Sequence, residues 1–171
     1  MILTGKEIEK NVRNGKIVIK PYNSDFVNPN SYNFRIGNTL KVYKNDILDP
    51  KVKQEVDLIE ITEKGYTLAP NRIYLVNTFE IIGSNYYVPI IRARSSTARL
   101  GLFVHVTADL IDIGYINQFT LQLHAVQPVQ IYPGMPIGQV TFWIPKGEVV
   151  LYDGKYKSGR GPQESKIYMD F

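Results

Sequence analysis

The densest group of side chains able to do chemistry runs Arg92-Ala93-Arg94-Ser95-Ser96-Thr97-Ala98-Arg99-Leu100-Gly101. It sets guanidinium groups beside small hydroxyls at one predicted strand-to-helix junction. Backbone N–H groups at a helix start, serine hydroxyls and forked arginines are the groups that hold phosphate oxygens. A capped surface helix would use the same residues, so both readings stand at this point.

A second run is His105-Val106-Thr107-Ala108-Asp109-Leu110-Ile111-Asp112-Ile113-Gly114-Tyr115. An aspartate two residues before a glycine, between apolar stretches, predicts a tight hairpin. Asp112 then either caps the turn, the usual work of a turn carboxylate, or stands at a pocket mouth. There it could orient a water or a sugar hydroxyl.

Other chemistries are excluded by what is missing. The only histidines are His105 and His124, and there is no cysteine, so a three-ligand catalytic zinc would need carboxylates from elsewhere. The PCxxC-type motif of zinc nucleotide deaminases is absent. So are a GxSxG elbow and a Walker-type lysine loop. Both histidines read as strand residues.

The elements that must position these runs are mostly strands. The chain has 171 residues and a net charge of +4, which suits one domain over 1–171 with a real core. The basic charge forms no block, and a triphosphate would satisfy three close arginines as well as a duplex would. No apolar run is long enough to span a bilayer and no signal-peptide core follows Met1, so a cytoplasmic location is expected.

Thr4-Gly5-Lys6-Glu7 predicts a capping box at the start of a short amphipathic helix, with Leu3 and Ile8 as its hydrophobic staple. Ile8 and Val12 share a face, and Asn14-Gly15 ends the helix. Beyond it, short β-branched and aromatic segments are expected as strands at Ile17 to Ile19, Tyr32 to Ile36, Leu40 to Tyr43, Val56 to Ile61, Ile73 to Val76 and Tyr86 to Ile91. Others fall at Leu102 to Val106, Phe119 to Ala125, Val129 to Ile131, Ile137 to Phe142 and Val149 to Leu151. Turn residues separate them, and many short strands at this spacing predict a sandwich, jelly roll or barrel.

From Tyr152 to Phe171 glycine and charge dominate, so this tail should be mobile when alone. It is either a frayed terminus or a flap whose Lys155 and Arg160 close over an anion. Tyr156, Tyr168 and Phe171 favour the flap.

Taken together, the motifs resemble those of dCTP deaminases, which share a fold with trimeric dUTPases. Pro29-Asn30-Ser31-Tyr32-Asn33-Phe34-Arg35-Ile36-Gly37 is similar to the family's P-x-S-Y-D-L-R-L-G stretch. Arg94 to Gly101 is similar to R-S-S-x-x-R-x-G, and His105 to Tyr115 to its nucleoside-binding hairpin. Pro133-Gly134-Met135-Pro136-Ile137-Gly138-Gln139, Lys155-Tyr156 and Arg160-Gly161-Pro162 follow in the family's order.

The resemblance implies a mainly β, distorted barrel or jelly roll of the dUTPase-like β-clip kind, with a short N-terminal helix and a closing tail. It implies that Arg94, Ser95, Ser96 and Arg99 grip a triphosphate, helped by Gln139, Lys155 and Arg160. Backbone groups near Thr107 and Ala108 would read the base, Asp112 would face the deoxyribose, and Tyr115 and Tyr156 would stand near the nucleotide. Mg²⁺ would be the cofactor, held by phosphates and waters rather than by protein ligands. Partners would be dUTP or dCTP and two further copies of the chain, in a homotrimer with shared sites. Nucleic acid is not expected, because the tyrosines are scattered rather than aligned on one strand face.

Three positions depart from the family: Asn33 replaces an aspartate, Gly159 stands where a phosphate-side glutamine is common, and the third bears on catalysis. The family's deaminating members carry a glutamate on the strand after the hairpin, where this chain reads Leu121-Gln122-Leu123-His124-Ala125. A glutamine amide can hold a water or a base but cannot shuttle protons. Three readings follow. The favoured one is a dUTP diphosphatase giving dUMP and pyrophosphate, with Asp112 positioning the water and Arg99, Ser95 and Gln122 beside the reaction. The alternative is a dCTP deaminase, mono- or bifunctional, in which His124, Asp109 or another group moves the proton. The third is a nucleotide-binding module without catalysis.

Overall fold

The computed structural model describes residues 1–171. Its one long helix, α1 (Gly5–Arg13), begins after Thr4 and ends at Asn14, as the sequence predicts. The expected capping box does not form: the Thr4 side chain makes no capping hydrogen bond. A tertiary contact instead holds the first helical N–H, with Gly5 N–H donating to the Pro29 carbonyl at 2.8 Å. Leu3 and Ile8 are buried as the staple requires.

The remainder is a distorted, nearly closed β-barrel. Its main sheet is built around β2 (Tyr32–Tyr43), a single long strand where two shorter ones were expected. The first half of β2 pairs with β11 (Pro136–Trp143), which pairs in turn with β7 (Val88–Ala93). Register breaks between Ile36 and Leu40, so β2 bends there and its second half joins other partners. That half lies between β3 (Val56–Glu60) and β5 (Tyr74–Thr78). Beyond β5 come β9 (Thr120–Ala125) and the two-residue β8 (Leu102–Phe103). The segment after β8 returns to β7 through a bridge between Ile90 and Leu110, which helps to curl the sheet.

Two small pairs close the ends. β1 (Val18–Lys20) pairs with β6 (Ile81–Gly83), and β4 (Tyr66–Leu68) with β10 (Val129–Ile131). Strands β4 and β6 escape sequence reading because three residues beside a glycine show no period. The expected strand at Val149 to Leu151 is absent; Val150 is exposed and no neighbouring strand pairs with it. Alternate residues of the strands, among them Phe34, Ile36, Leu40, Val76, Leu121, Leu123 and Val140, are fully buried and form one apolar core. No helix is long and apolar enough to cross a membrane.

Candidate active site

The junction expected at Arg92 to Gly101 is present. Strand β7 stops at Ala93, Arg94 is extended, and a one-turn helix, α2 (Ser95–Arg99), follows. Ser95, Ser96 and Arg99 are exposed and Thr97 is buried beneath them. The Arg94 guanidinium donates to the Pro136 carbonyl at 3.3 Å, so β11 holds it in place. Gln139 on β11 pairs with Arg92 in register, accepts from the Ser31 hydroxyl at 2.9 Å and reaches the Ala93 carbonyl at 3.5 Å. Its amide thus belongs with the α2 cluster.

A second site lies elsewhere. A cavity of about 430 Å³ is lined by Ala108, Asp112, Tyr115, Gln122 and Tyr156 among the expected residues. Tyr43, Leu75, Thr120, Tyr152, Gln163, Glu164 and Ser165 also line it. The α2 residues, Gln139, Lys155 and Arg160 do not line it. Within one chain, the phosphate-type groups and the nucleoside-sized cavity are therefore apart.

The run expected as a hairpin shapes one wall. Ile91 N–H donates to the Asp109 carbonyl at 2.9 Å and Ile111 N–H to the Pro89 carbonyl at 3.0 Å, tying the run to β7. Arg92 and Asp109 also form an ion pair. Asp112 sits at the turn, where its carbonyl accepts from Tyr115 N–H at 3.2 Å and its side chain is open to solvent. Gly114 has φ 93°, and an added Cβ would come within 2.9 Å of the Leu151 Cβ and the Tyr152 nitrogen. Glycine is required there because the tail begins by crossing this turn, with Tyr152 N–H donating to the Ile113 carbonyl at 2.7 Å.

Tyr115 is packed between rings. It stacks on Phe119 with centroids 6.0 Å apart and meets Tyr152 edge-on at 5.6 Å. Burial, then the neighbouring Tyr152 phenol, pushes its pKa up to about 12, so it remains a neutral phenol at every working pH.

The floor is a row across three strands, because Lys41 pairs with Leu75 and Leu75 with Gln122. Paired residues share a face of the sheet. The Gln122 amide nitrogen donates to the Thr120 carbonyl at 2.8 Å, and its Oε1 is buried without a partner. A buried acceptor left bare is costly unless a ligand satisfies it.

The tail forms the roof and is docked rather than frayed. Asn117 donates to the Gly159 carbonyl at 2.6 Å, and Gly161 N–H donates to Gln118 Oε1 at 3.1 Å. Gln163 N–H donates to the Thr120 hydroxyl at 3.0 Å and Ser165 N–H to the Tyr43 hydroxyl at 3.0 Å. Glu164 meets Lys41 at 2.6 Å, and this contact holds its carboxyl below the usual glutamate range against the opposing effect of burial. Lys155, expected to face an anion, binds Asp170 instead. Sequence reading missed Tyr43, Gln163, Glu164 and Ser165. Only the fold brings Glu164 to Lys41, 123 positions away.

Neither proton carrier named from the sequence reaches this cavity. His124 lines a separate hollow with Arg72 and Phe103, and Asp109 is engaged by Arg92. His105 lies in a loop after β8 rather than in a strand. Burial, then Arg92, lowers its pKa, and its Nδ1 has no partner.

Residues 2–144 match the model of the family described as dCTP deaminase-like. A protein of Clostridium beijerinckii named "dCTP deaminase, dUMP-forming" is 46% identical over 172 residues, covering 100% of this chain and 99% of its own length. A protein of Cytophaga hutchinsonii with the same name is 43% identical, again over 100% and 99%. The solved 2′-deoxycytidine 5′-triphosphate deaminase of Agrobacterium tumefaciens has the same fold. It superposes with a TM-score of 0.67 at 20% identity, over 84% of this chain and 48% of that one.

These relatives correct the favoured expectation. A dUTP diphosphatase that leaves dCTP intact is not what full-length relatives at this identity are named for. The expectation failed because it rested on residue 122 alone. A cavity is lined by several elements, and this one holds two carboxylates, Asp112 and Glu164, besides the Gln122 amide.

Proposed function

The chain belongs to the dCTP deaminase-like family, and we propose that it converts dCTP to dUMP, releasing ammonia and pyrophosphate. The observation that carries this reading is the buried, unpartnered Oε1 of Gln122, a residue that lines a cavity of nucleoside size. A carbonyl oxygen accepts hydrogen bonds, and the exocyclic amine of cytosine is the base edge that offers them.

In this reading the pyrimidine lies on Leu75 with its amine towards Gln122. The sugar meets Asp112 and the neutral Tyr115 phenol at the mouth. Ala108 and the backbone beside Thr107 face the other base edge. The triphosphate is gripped by Arg94, Ser95, Ser96, Arg99 and Gln139 of a neighbouring copy, with Lys155 and Arg160 of a tail that rearranges on closing. Separation of the two groups within one chain supports a homotrimer with shared sites, because neither group is complete alone.

Two hydrolytic steps follow. Water replaces the amine at C4, and a second water, positioned by Asp112, attacks the α-phosphorus in line. Arginines aimed at the phosphate oxygens stabilise the charge that develops there. Mg²⁺ would be carried by the substrate's phosphates and by waters, and it would supply charge neutralisation at the leaving pyrophosphate.

The test is to incubate the full chain with Mg²⁺ and dCTP and to resolve dUTP, dUMP and dCMP by chromatography while assaying ammonia. The expected result is dUMP and ammonia in equal amounts. Formation of dCMP without ammonia, or no turnover of dCTP, would overturn the proposal.

A further inference from the structure

We infer that Glu164, carried on the docked tail, is the proton-transferring group of the deamination step, at a site where β9 offers only an amide. The inference rests on dCTP being the substrate. Deamination needs a group that takes a proton from water and delivers protons to the ring and the leaving amine. Gln122 cannot do this, because its amide does not titrate near neutral pH.

The titratable groups around the cavity narrow the choice. Tyr43 and Tyr115 have raised pKa values and remain protonated, so neither is a base. The Tyr152 and Tyr156 hydroxyls accept from the backbone N–H groups of Tyr156 and Lys166 at 3.2 and 2.8 Å. Two carboxylates remain. Asp112 stands at the turn with its side chain in solvent, next to where the sugar is placed. Glu164 is largely covered, with a side chain 22% exposed, and lies over the floor row that contains Gln122.

The row sets the scale. Lys41 and Gln122 are two strands apart, about 10 Å between backbones, with the apolar Leu75 between them. A pyrimidine over Leu75 with its amine towards Gln122 lies between this floor and Glu164, which the tail holds at Lys41. The Lys41 contact keeps Glu164 ionised, which is the state a base needs before it meets water.

The step balances with one water. As the water oxygen bonds to C4, Glu164 takes its proton and the C4–N3 π pair moves onto N3. Glu164 returns that proton to N3. The proton of the new C4 hydroxyl then passes through the same carboxylate to the amino nitrogen. The C4–N4 bond breaks with its electron pair on the departing ammonia, and the C4 carbonyl forms.

The test compares the parent chain with Glu164→Gln and with the double variant Glu164→Gln/Gln122→Glu, each given dCTP and dUTP in turn. Glu164→Gln should lower kcat for ammonia release by about 10²-fold or more. Its KM for dCTP and its cleavage of dUTP to dUMP should remain within about threefold, since neither uses the carboxylate as a proton carrier. The double variant should regain deamination, because it places a carboxylate on β9 beside the amine. A Glu164→Gln enzyme that deaminates like an active parent overturns the inference and leaves the proposed function standing. Equal loss on dCTP and dUTP also overturns it, since that marks a tail contact and not a proton carrier. A parent chain that releases no ammonia overturns both.

Discussion

Gln122 and Thr120 share one face of β9, and the Gln122 amide nitrogen donates to the Thr120 carbonyl at 2.8 Å, which leaves Oε1 as a buried acceptor without a partner. Its burial has opposite consequences in the two states of the protein. Without nucleotide the bare acceptor costs stability, and with cytosine bound it gains a donor. Gln122→Leu should therefore lower kcat/KM for dCTP by about tenfold, the value of one hydrogen bond of roughly 1.4 kcal/mol. The melting temperature of the nucleotide-free protein should be unchanged or higher. Steady-state kinetics and a thermal melt check both halves, and a lower melting point with unchanged kinetics would contradict them.

A different pair holds the barrel bend. Glu80 is fully buried and accepts from Arg35 N–H at 2.9 Å and from Arg35 Nε at 2.7 Å. The guanidinium lies 4.4 Å from the Phe79 ring centroid and 5.2 Å from that of Phe26. Removing one member strands the other charge, so Glu80→Ala should cost about 3–5 kcal/mol. That corresponds to a fall of roughly 10 °C in Tm for a chain of this size. Calorimetry would show it; a shift of about 2 °C or less would mean that solvent reaches Arg35 freely.

Deleting the residues after Tyr152 removes Tyr156, Gln163, Glu164 and Ser165 from the cavity wall. KM should rise and kcat fall for both dCTP and dUTP. Most buried core residues lie outside the tail, so the truncated barrel should still melt cooperatively. Unchanged kcat and KM on both substrates would show that the tail takes no part in the site.

The Lys41–Glu164 contact sets a pH limit. Glu164 faces Lys41 at hydrogen-bond distance, and Lys53 adds a smaller attraction. A carboxyl whose folded pKa is depressed contributes its stabilising contact fully above the ordinary glutamate range. That contribution is lost as pH falls through the lowered folded value. Lys41→Met removes the largest lowering cause, so the acid limb of the dCTP deamination profile should move to higher pH. A profile that stays in place would separate Glu164 from the rate.

Much of this was legible in the sequence, and the part that was not has physical causes. The strand-to-helix junction at Arg94 to Gly101 was readable because small hydroxyl residues follow directly on an apolar strand. The turn was readable from Asp112 and Gly114, but its flanks bridge to Ile90 and Ile82 rather than to each other, so the expected hairpin does not form. Thr4 misled because its pattern fits a capping box, yet a partner from another part of the chain, the Pro29 carbonyl, took the first helical N–H. Gln122 misled for a related reason: strand position shows which residue replaces a glutamate, and not which other carboxylate the tail brings to the same cavity. Glu164 sits in a charged, glycine-containing stretch that looks solvated until Lys41 and Tyr43 are placed beneath it.

The measurement closest to the central claim is turnover of dCTP in oxygen-18-labelled water, with mass analysis of the isolated products. Conversion to dUMP by two hydrolytic steps predicts label at O4 of the uracil ring as well as label from cleavage at the α-phosphorus. Label confined to the phosphates of a product that is still cytosine, or unlabelled dCTP recovered intact, would contradict the account.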